Sequence, residues 1–332
     1  MIVFAVGVGM FYLVSLLIFC LPLLQKKPIS IKLNGTFTGF SVVIPVKNEQ
    51  KRLEKLLLAL VEMSYPVEHF ELIFVDDHSE DLSESLLEVW AEHHSQLDIR
   101  IIKNSDKGKK SAIETGVNQA QYAYIVQTDA DAQPNPEWLL MYHQFLSQNK
   151  AKFIAGPIKM TAENTLVQKL QQIECLALQS ITAGAFELNR PIMANAANMV
   201  YEKSAFMAVD GFDAVRHFDG GDDVFLMEKI HQRFPKQTYY LAEQRAIVRV
   251  SAEKNFAEAL RQRQRWAYKN KFSKNGLNLF TALVVLIGNA MLIALIIGFL
   301  FYFNWWKAAL VFALFKFYAD FLVLYIGNTF FK

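Results

Sequence analysis

The feature that most constrains this chain is the placement of its apolar runs at the two ends. Ile2 to Leu24 holds no acidic or basic side chain, and at about 1.5 Å per residue a helix of that length crosses a bilayer. No basic segment precedes the run, it outlasts the apolar stretch of a secretory leader, and Leu21-Pro-Leu-Leu-Gln-Lys-Lys27 offers no small-residue cleavage site, so a retained anchor is expected. Leu277 to Phe303 is a second charge-free run of similar length. The third, Ala308 to Phe331, carries Lys316 and Asp320. Each would cost about 3 kcal/mol alone at the bilayer centre, but four apart on one helical face they can pair, as a helix-packing contact rather than a route for an acceptor.

The basic residues set an orientation. Lys26, Lys27 and Lys32 follow the first run, and Arg261, Arg263, Arg265, Lys269, Lys271 and Lys274 precede the second. The excess of positive charge on cytoplasmic flanks then places residues 25–276 in the cytoplasm, with Asn304 to Lys307 outside. The expected division is a membrane helix over 1–24, a cytoplasmic catalytic domain over 25–254, an interfacial helix over 255–276, and membrane helices over 277–303 and 308–331. That makes a multi-pass protein of the cell (inner) membrane. Because the basic clusters flank apolar runs instead of covering a soluble face, no nucleic-acid partner is expected. Only Cys20 and Cys175 are present, so there is no disulfide framework, in keeping with a reducing compartment.

Between the apolar runs, short β-rich segments alternate with helical patterns, the mark of an α/β fold with a mostly parallel sheet. Strands are expected at Phe40 to Val46, Glu71 to Val75, Ile99 to Lys103 and Tyr122 to Gln127. Helices are expected over Gln50 to Met63 and Leu82 to His93, and from Gly108. Later the alternation loosens, with strands at Phe153 to Pro157 and Ala194 to Tyr201 and a long helix over Leu166 to Glu187. No internal repeat interrupts this single domain.

Ligands of open α/β sheets bind beyond the carboxyl ends of the strands. Three such ends carry acids: Lys47-Asn48-Glu49, Asp76-Asp77 and Asp129-Ala130-Asp131. Singly each is an ordinary turn; together they favour one polar site. Residues two apart in an extended segment point the same way, so Asp129 and Asp131 can face one ion. Their hard oxygens suit magnesium or manganese, held jointly with substrate phosphates. Gly108-Lys109-Lys110 opens a helix, where free backbone N–H groups and a lysine favour an anion or form a solvated basic turn. Phe218-Asp-Gly-Gly-Asp-Asp223 sets two glycines before two acids, either as a helix cap or as a presented general base. Gln262 to Trp266 lies in a basic helical stretch that suits a headgroup-level helix and an acceptor wall alike.

Ser41-Val-Val-Ile-Pro-Val-Lys-Asn-Glu49, Val75-Asp-Asp-His-Ser79, Asp129-Ala-Asp131, Gly221-Asp-Asp223 and Gln262-Arg-Gln-Arg-Trp266 together resemble the family 2 glycosyltransferases, relatives of cellulose, chitin and hyaluronan synthases. The resemblance implies a GT-A fold and transfer, with inversion, from a UDP-sugar or other nucleotide-diphosphate sugar to a lipid-linked or glycan hydroxyl. It assigns Pro45, Glu49, Asp77, Lys109, Asp129 and Asn198 to the donor nucleotide, with Asp76 as an alternative to Asp77. By the same carry-over Asp129 and Asp131 hold the metal, and Asp223, or its neighbour Asp222, is the catalytic base. Gln262, Arg265 and Trp266 line the acceptor side, with Arg265 also facing the departing diphosphate. Asn195 to Tyr201 resembles the strand beside the donor sugar, with Ala196 where glycine is usual. The family usually has Glu-Asp where this chain has Asp222-Asp223. Three spans are few for a polymer channel, which points to partner membrane subunits or to a chain truncated after Lys332. Two rivals stay open: a polyprenyl-phosphate sugar transferase and a non-catalytic scaffold that binds nucleotide sugars.

Overall fold

The computed structural model describes residues 1–26, 35–163, 165–216, 220–270 and 276–331. Lys27, Lys32, Phe218, Asp219, Lys271 and Lys274, named above, lie outside them.

The strands are β1 (Phe40–Val46), β2 (Phe70–Asp76), β3 (Asp98–Lys103), β4 (Tyr124–Gln127), β5 (Gln133–Pro134), β6 (Phe153–Ala155), β7 (Ile158–Thr161), β8 (Met199–Glu202), β9 (Thr238–Tyr240) and β10 (Val248–Ser251). The helices are α1 (Ile2–Cys20), α2 (Leu53–Val61), α3 (Ser83–His93), α4 (Lys109–Gln119), α5 (Trp138–Gln148), α6 (Leu166–Glu187), α7 (Lys203–Ala208), α8 (Asp222–Arg233), α9 (Phe256–Asn270), α10 (Gly276–Phe301) and α11 (Trp306–Phe330). The main sheet runs β3-β2-β1-β4-β8-β6-β9, and a small one runs β5-β10-β7. β1 pairs in parallel with β2 and β4, and β2 with β3, whereas β8 runs against both β4 and β6.

β1 and β2 are buried along their whole length because helices cover both faces of the sheet, which is why these strands are apolar apart from Ser41 and Glu71, which bond each other, and Asp76 at the rim. The period of two divides them. Val42 and Ile44 join a core with Leu56 and Leu60 of α2, while Val43 turns to the opposite core with Ile113 and Val117 of α4. Gly116 of α4 lies against Val43 and Val75, where a side chain would collide. In register, Val46 sits opposite Asp76 and Asp76 opposite Lys103. The residues that follow β1, β2 and β3 therefore emerge along one rim.

Beyond β4 the sequence expectation is revised. The strand expected over Ala194 to Tyr201 is β8 alone, since Asn195 to Asn198 closes a turn with Asn198 N donating to Asn195 O at 3.0 Å. α8 starts at Asp222, so both acids lie in its first turn, because Gly220 and Gly221 both take left-handed φ values, +73° and +76°, and deliver the chain into the helix. α5, α7 and the small sheet were not anticipated.

Among the described residues, three helices are long and apolar enough to cross a membrane. α1 and α11 pack side by side. Lys316 Nζ bonds Asp320 Oδ2 at 2.6 Å, and Tyr12 OH donates to Asp320 Oδ1 at 2.7 Å, so the two charges are paired as expected and held by a neighbouring helix. α6 opens with a capping box between Thr165 and Gln168. Its far end meets the membrane-length helices: a side chain at Gly184 would run into the Phe19 carbonyl of α1, and Ser180 touches Gly327 of α11.

Candidate active site

At the rim of the main sheet is a cleft of about 400 Å³ lined by the ends of β1, β2 and β4 and the start of α4. Pro45 and Glu49 come from the β1 end, Asp77 from β2, Lys109 from the first turn of α4, and Asp129 and Asp131 from the turn after β4. Gly108, which caps α4, has φ +106°, a conformation that only glycine takes without strain. It lets the first turn of α4 come close to Asp77.

Asp77 is almost fully buried. Its Oδ1 accepts from Asn104 Nδ2 at 3.0 Å and from the Gly108 amide at 2.8 Å, and Lys47 Nζ lies 3.2 Å from Oδ2. Burial alone would raise this carboxyl, but these three donors outweigh it and hold it below the ordinary carboxylate range. Asn104 follows β3 as the fourth strand-end residue of the rim. It accepts from Ser111 and Thr115 of α4 and thereby fixes α4 against the sheet. Sequence reasoning missed it, although its place directly after β3 was the available signal.

The centre of the site is Lys109. Its ammonium is 2.6 Å from Asp129 Oδ1 and 3.4 Å from Asp222 Oδ2. Burial opposes the charge, yet Asp129 and Asp222 together hold Lys109 protonated far above its ordinary value. Asp222 is buried and also accepts from Gln127 Nε2 at 3.0 Å, while Tyr201 OH donates to Gln127 Oε1 at 3.2 Å. Asp223, half-buried in the same first turn of α8, accepts from the Val224 amide at 2.8 Å.

Asp131 and Glu49 behave oppositely to Asp77. Burial and then the neighbouring Asp129 raise the Asp131 carboxyl. Burial also raises Glu49, with Arg52 partly offsetting it and Asp131 and Asp129 reinforcing it. Arg52 is 3.6 Å from Glu49 and 3.9 Å from Asp131. Among the described residues no cluster of three or more His, Cys, Asp or Glu is arranged to hold a metal. The hard carboxylate oxygens of Asp129 and Asp131 at this cleft would fit an ion that draws its other ligands from a bound substrate.

Several residues named from the sequence stand elsewhere. Asp76 turns away from Asp77, as alternation along the chain requires, into a separate recess with His78, Ser79 and Asn104. One of its oxygens accepts from the Ser79 amide at 3.2 Å; the other is buried without a hydrogen bond. Asn198 is fully buried and does not line the cleft. It accepts from Trp138 Nε1 and Tyr142 OH and donates to the carbonyls of Pro157 and Ala246, tying α5 to the small sheet. Gln262, Arg265 and Trp266 also lie off the cleft lining. Gln262 bonds Glu253 at 3.2 Å, Arg265 lies 3.9 Å from the same carboxylate, and Trp266 is covered by the Arg263 guanidinium at 4.9 Å.

The family model for glycosyl transferase family 2 matches residues 41–211, just over half of the chain. The chain belongs to glycosyl transferase family 2. Within the family, an undecaprenyl-phosphate 4-deoxy-4-formamido-L-arabinose transferase of Proteus mirabilis is 43% identical over 98 residues, 29% of this chain and 30% of that protein. A hyaluronan synthase of Pasteurella multocida is 32% identical over 139 residues, 41% of this chain and 14% of that protein. The chain spans less than half the length of the curated relatives it matches. Among solved structures, the mannosyltransferase PcManGT of Pyrobaculum calidifontis, in complex with GDP-Man and Mn2+, aligns with a TM-score of 0.62 at 17% identity over 97% of both chains. At that identity the likeness is one of fold, and the fold is GT-A, as the resemblance implied.

Proposed function

We propose that this family 2 protein is a membrane-integrated inverting glycosyltransferase that moves a sugar from a nucleotide-diphosphate donor to a lipid-linked or glycan hydroxyl on the cytoplasmic face. The observation that carries the reading is the convergence of Glu49, Asp77, Lys109, Asp129 and Asp131 on one cleft. Asp77 and Glu49 are proposed to contact the nucleoside, and Lys109, at the opening of α4, the diphosphate. A magnesium or manganese ion, when bound by Asp129 and Asp131 with the donor phosphates, offsets charge on the leaving group. The Mn2+ and GDP-Man bound to the structural neighbour support a donor of that class.

Asp223 is the better base of the neighbouring pair, since Asp222 already accepts from Gln127 and lies beside Lys109. A carboxylate at the start of α8 takes the proton of the acceptor hydroxyl as its oxygen attacks the anomeric carbon. Arg265 and Trp266, on a helix just before α10, are proposed for the acceptor side, beside a multi-pass membrane region whose basic flanks favour the cytoplasm.

A second reading is favoured by the 43% identity to an undecaprenyl-phosphate sugar transferase: the acceptor is then a polyprenyl phosphate, which needs no strong base. Incubating membranes that contain the full chain with labelled nucleotide sugars, with and without manganese, tests both. A manganese-dependent product with a glycosidic linkage supports the first reading, and an acid-labile phosphodiester replaces it with the second. Nucleotide binding with no transfer of any sugar leaves only the scaffold reading.

A further inference from the structure

The charges deep in the membrane-length bundle are matched within it: Lys316 and Asp320 of α11 bond each other, and Tyr12 of α1 donates to Asp320. Asn289 is not matched in this way. It stands midway along α10, between Gly276 and Phe301, with its side chain exposed. Its Nδ2 donates to the Val285 carbonyl of its own helix at 2.9 Å, and its Oδ1 accepts from no described residue. At hydrocarbon depth an unmatched acceptor is costly, because no water is there to donate to it.

α10 touches the rest of the protein through one side. Val284 joins the core that includes Tyr12, a side chain at Gly288 would meet the Tyr12 ring, and Leu295 packs with Ala5 of α1 and Phe312 of α11. Asn289 lies on the uncovered side. Ala282, Leu286, Asn289, Ile293, Ile296 and Leu300 recur at alternating spacings of four and three. All six are exposed, with Leu286 at 63% and Ile293 at 58% on either side of the amide. That spacing is the seam of two helices packed knobs into holes, and a single asparagine within such a seam sets its register and the number of helices.

We infer that this stripe is the contact between two copies of the chain, α10 against α10, with the two Asn289 amides bonded to each other across it. Lipid tails supply neither donor nor acceptor, whereas each carboxamide holds both. Copies inserted with the same topology carry Asn289 at the same depth, and a two-fold axis along the membrane normal brings that residue opposite itself. Nδ2 of each copy then donates one N–H to Oδ1 of the other and keeps its second for the Val285 carbonyl. A partner of different sequence would need a donor of its own at that depth; a second copy has one by symmetry. The inference rests on α10 crossing a membrane and is independent of sugar transfer.

The test uses the full chain in liposomes over a range of lipid dilutions, with donor and acceptor fluorophores on Leu58→Cys, a 60% exposed site of α2; native Cys20 and Cys175 are buried. Energy transfer between copies reads the dimer. Asn289→Leu is expected to raise the dissociation constant about tenfold, and Asn289→Gln, which keeps the amide, by less than about threefold. Register is read by copper-phenanthroline oxidation of unlabelled single-cysteine variants, with the chain lacking an added cysteine as background. Ile293→Cys, one turn from the amide, is expected to form a disulfide between copies, and Ile287→Cys, 57% exposed but off the stripe, is not. An Asn289→Leu dimer as tight as the native one, or a disulfide at Ile287→Cys in preference to Ile293→Cys, overturns the proposal, because the copies then meet through another face. Absence of energy transfer at every dilution overturns it too and leaves the stripe to lipid or to a different subunit. Release of the chain from membranes by alkaline carbonate refutes the span on which the proposal stands.

Discussion

The Lys109 ammonium lies 2.6 Å from Asp129 Oδ1, so a site expected to receive a diphosphate already holds a cation on one of its proposed metal ligands. The same ammonium reaches Asp222 at 3.4 Å. One helix opening therefore joins the donor side of the cleft to the acids of α8.

If Lys109 is the phosphate contact, Lys109→Met lowers affinity for a nucleoside diphosphate by about tenfold or more while leaving the affinity for the bare nucleoside nearly unchanged. Isothermal titration with the two ligands separates the effects. Equal losses for both would place Lys109 at the nucleoside.

Asp131 is raised by burial and by Asp129 beside it, a like-charge pair that an ion would relieve. Asp131→Ala is expected to abolish most of the gain in nucleotide affinity on adding manganese, a factor of ~10. Titrations with and without manganese measure it; an undiminished gain removes Asp131 from the ligand set.

Asp223→Asn should bind donor normally and reduce turnover by ~100-fold or more. Asp222→Asn, whose parent side chain is buried against Gln127, should instead show a lowered melting temperature. If Asp222→Asn alone loses turnover at unchanged stability, the roles of the neighbours are reversed.

Asn198 makes four hydrogen bonds from a fully buried position. Asn198→Ala leaves Trp138 Nε1, Tyr142 OH and two carbonyls without that partner, and the expected loss of stability is roughly 3 kcal/mol. Urea unfolding followed by tryptophan fluorescence reads it. A loss below about 1 kcal/mol would return Asn198 to the list of ligand contacts.

His143 is buried beneath Phe37, with its ring nitrogen 3.0 Å from Thr38 Oγ1. Burial, then His69 nearby, depresses its affinity for a proton. The unfolded chain takes up that proton first as pH falls below about 6.5, so stability is lost as pH drops from the ordinary histidine value through the lower folded one. Between about pH 7.5 and 5.5, the melting temperature should fall by ~2 °C more in the native chain than in His143→Gln. Equal falls would show that His143 is not responsible.

Much of the architecture was legible in the amino-acid order because it rests on local periodicity. Charge-free runs announced α1 and α10, and an i,i+4 pair announced the Lys316–Asp320 contact, since both signals lie within one helix. β1, β2 and β4 stood out because strands covered on both faces are mainly apolar, and the acids stood out because they interrupt that pattern after these three strands, whereas β3 is a half-exposed edge strand that carries Arg100 and Lys103. What remained hidden depended on contacts between distant segments. Asp76 and Asp77 are chemically identical, and only the packing of α4 through Gly108 and Asn104 decides which of them meets the cleft. The family resemblance implied a donor contact for Asn198, yet α5 and the segments that lead into the small sheet, brought to it from about fifty residues away in either direction, take up its hydrogen bonds. The sequence by itself determined where the chain becomes apolar and which acids end the strands, because hydrophobic periodicity and turn chemistry act over a few residues. Only the tertiary structure decided which of those acids share a cleft and which face of α10 is left uncovered, because burial and charge pairing are settled by neighbours that the chain brings from far away.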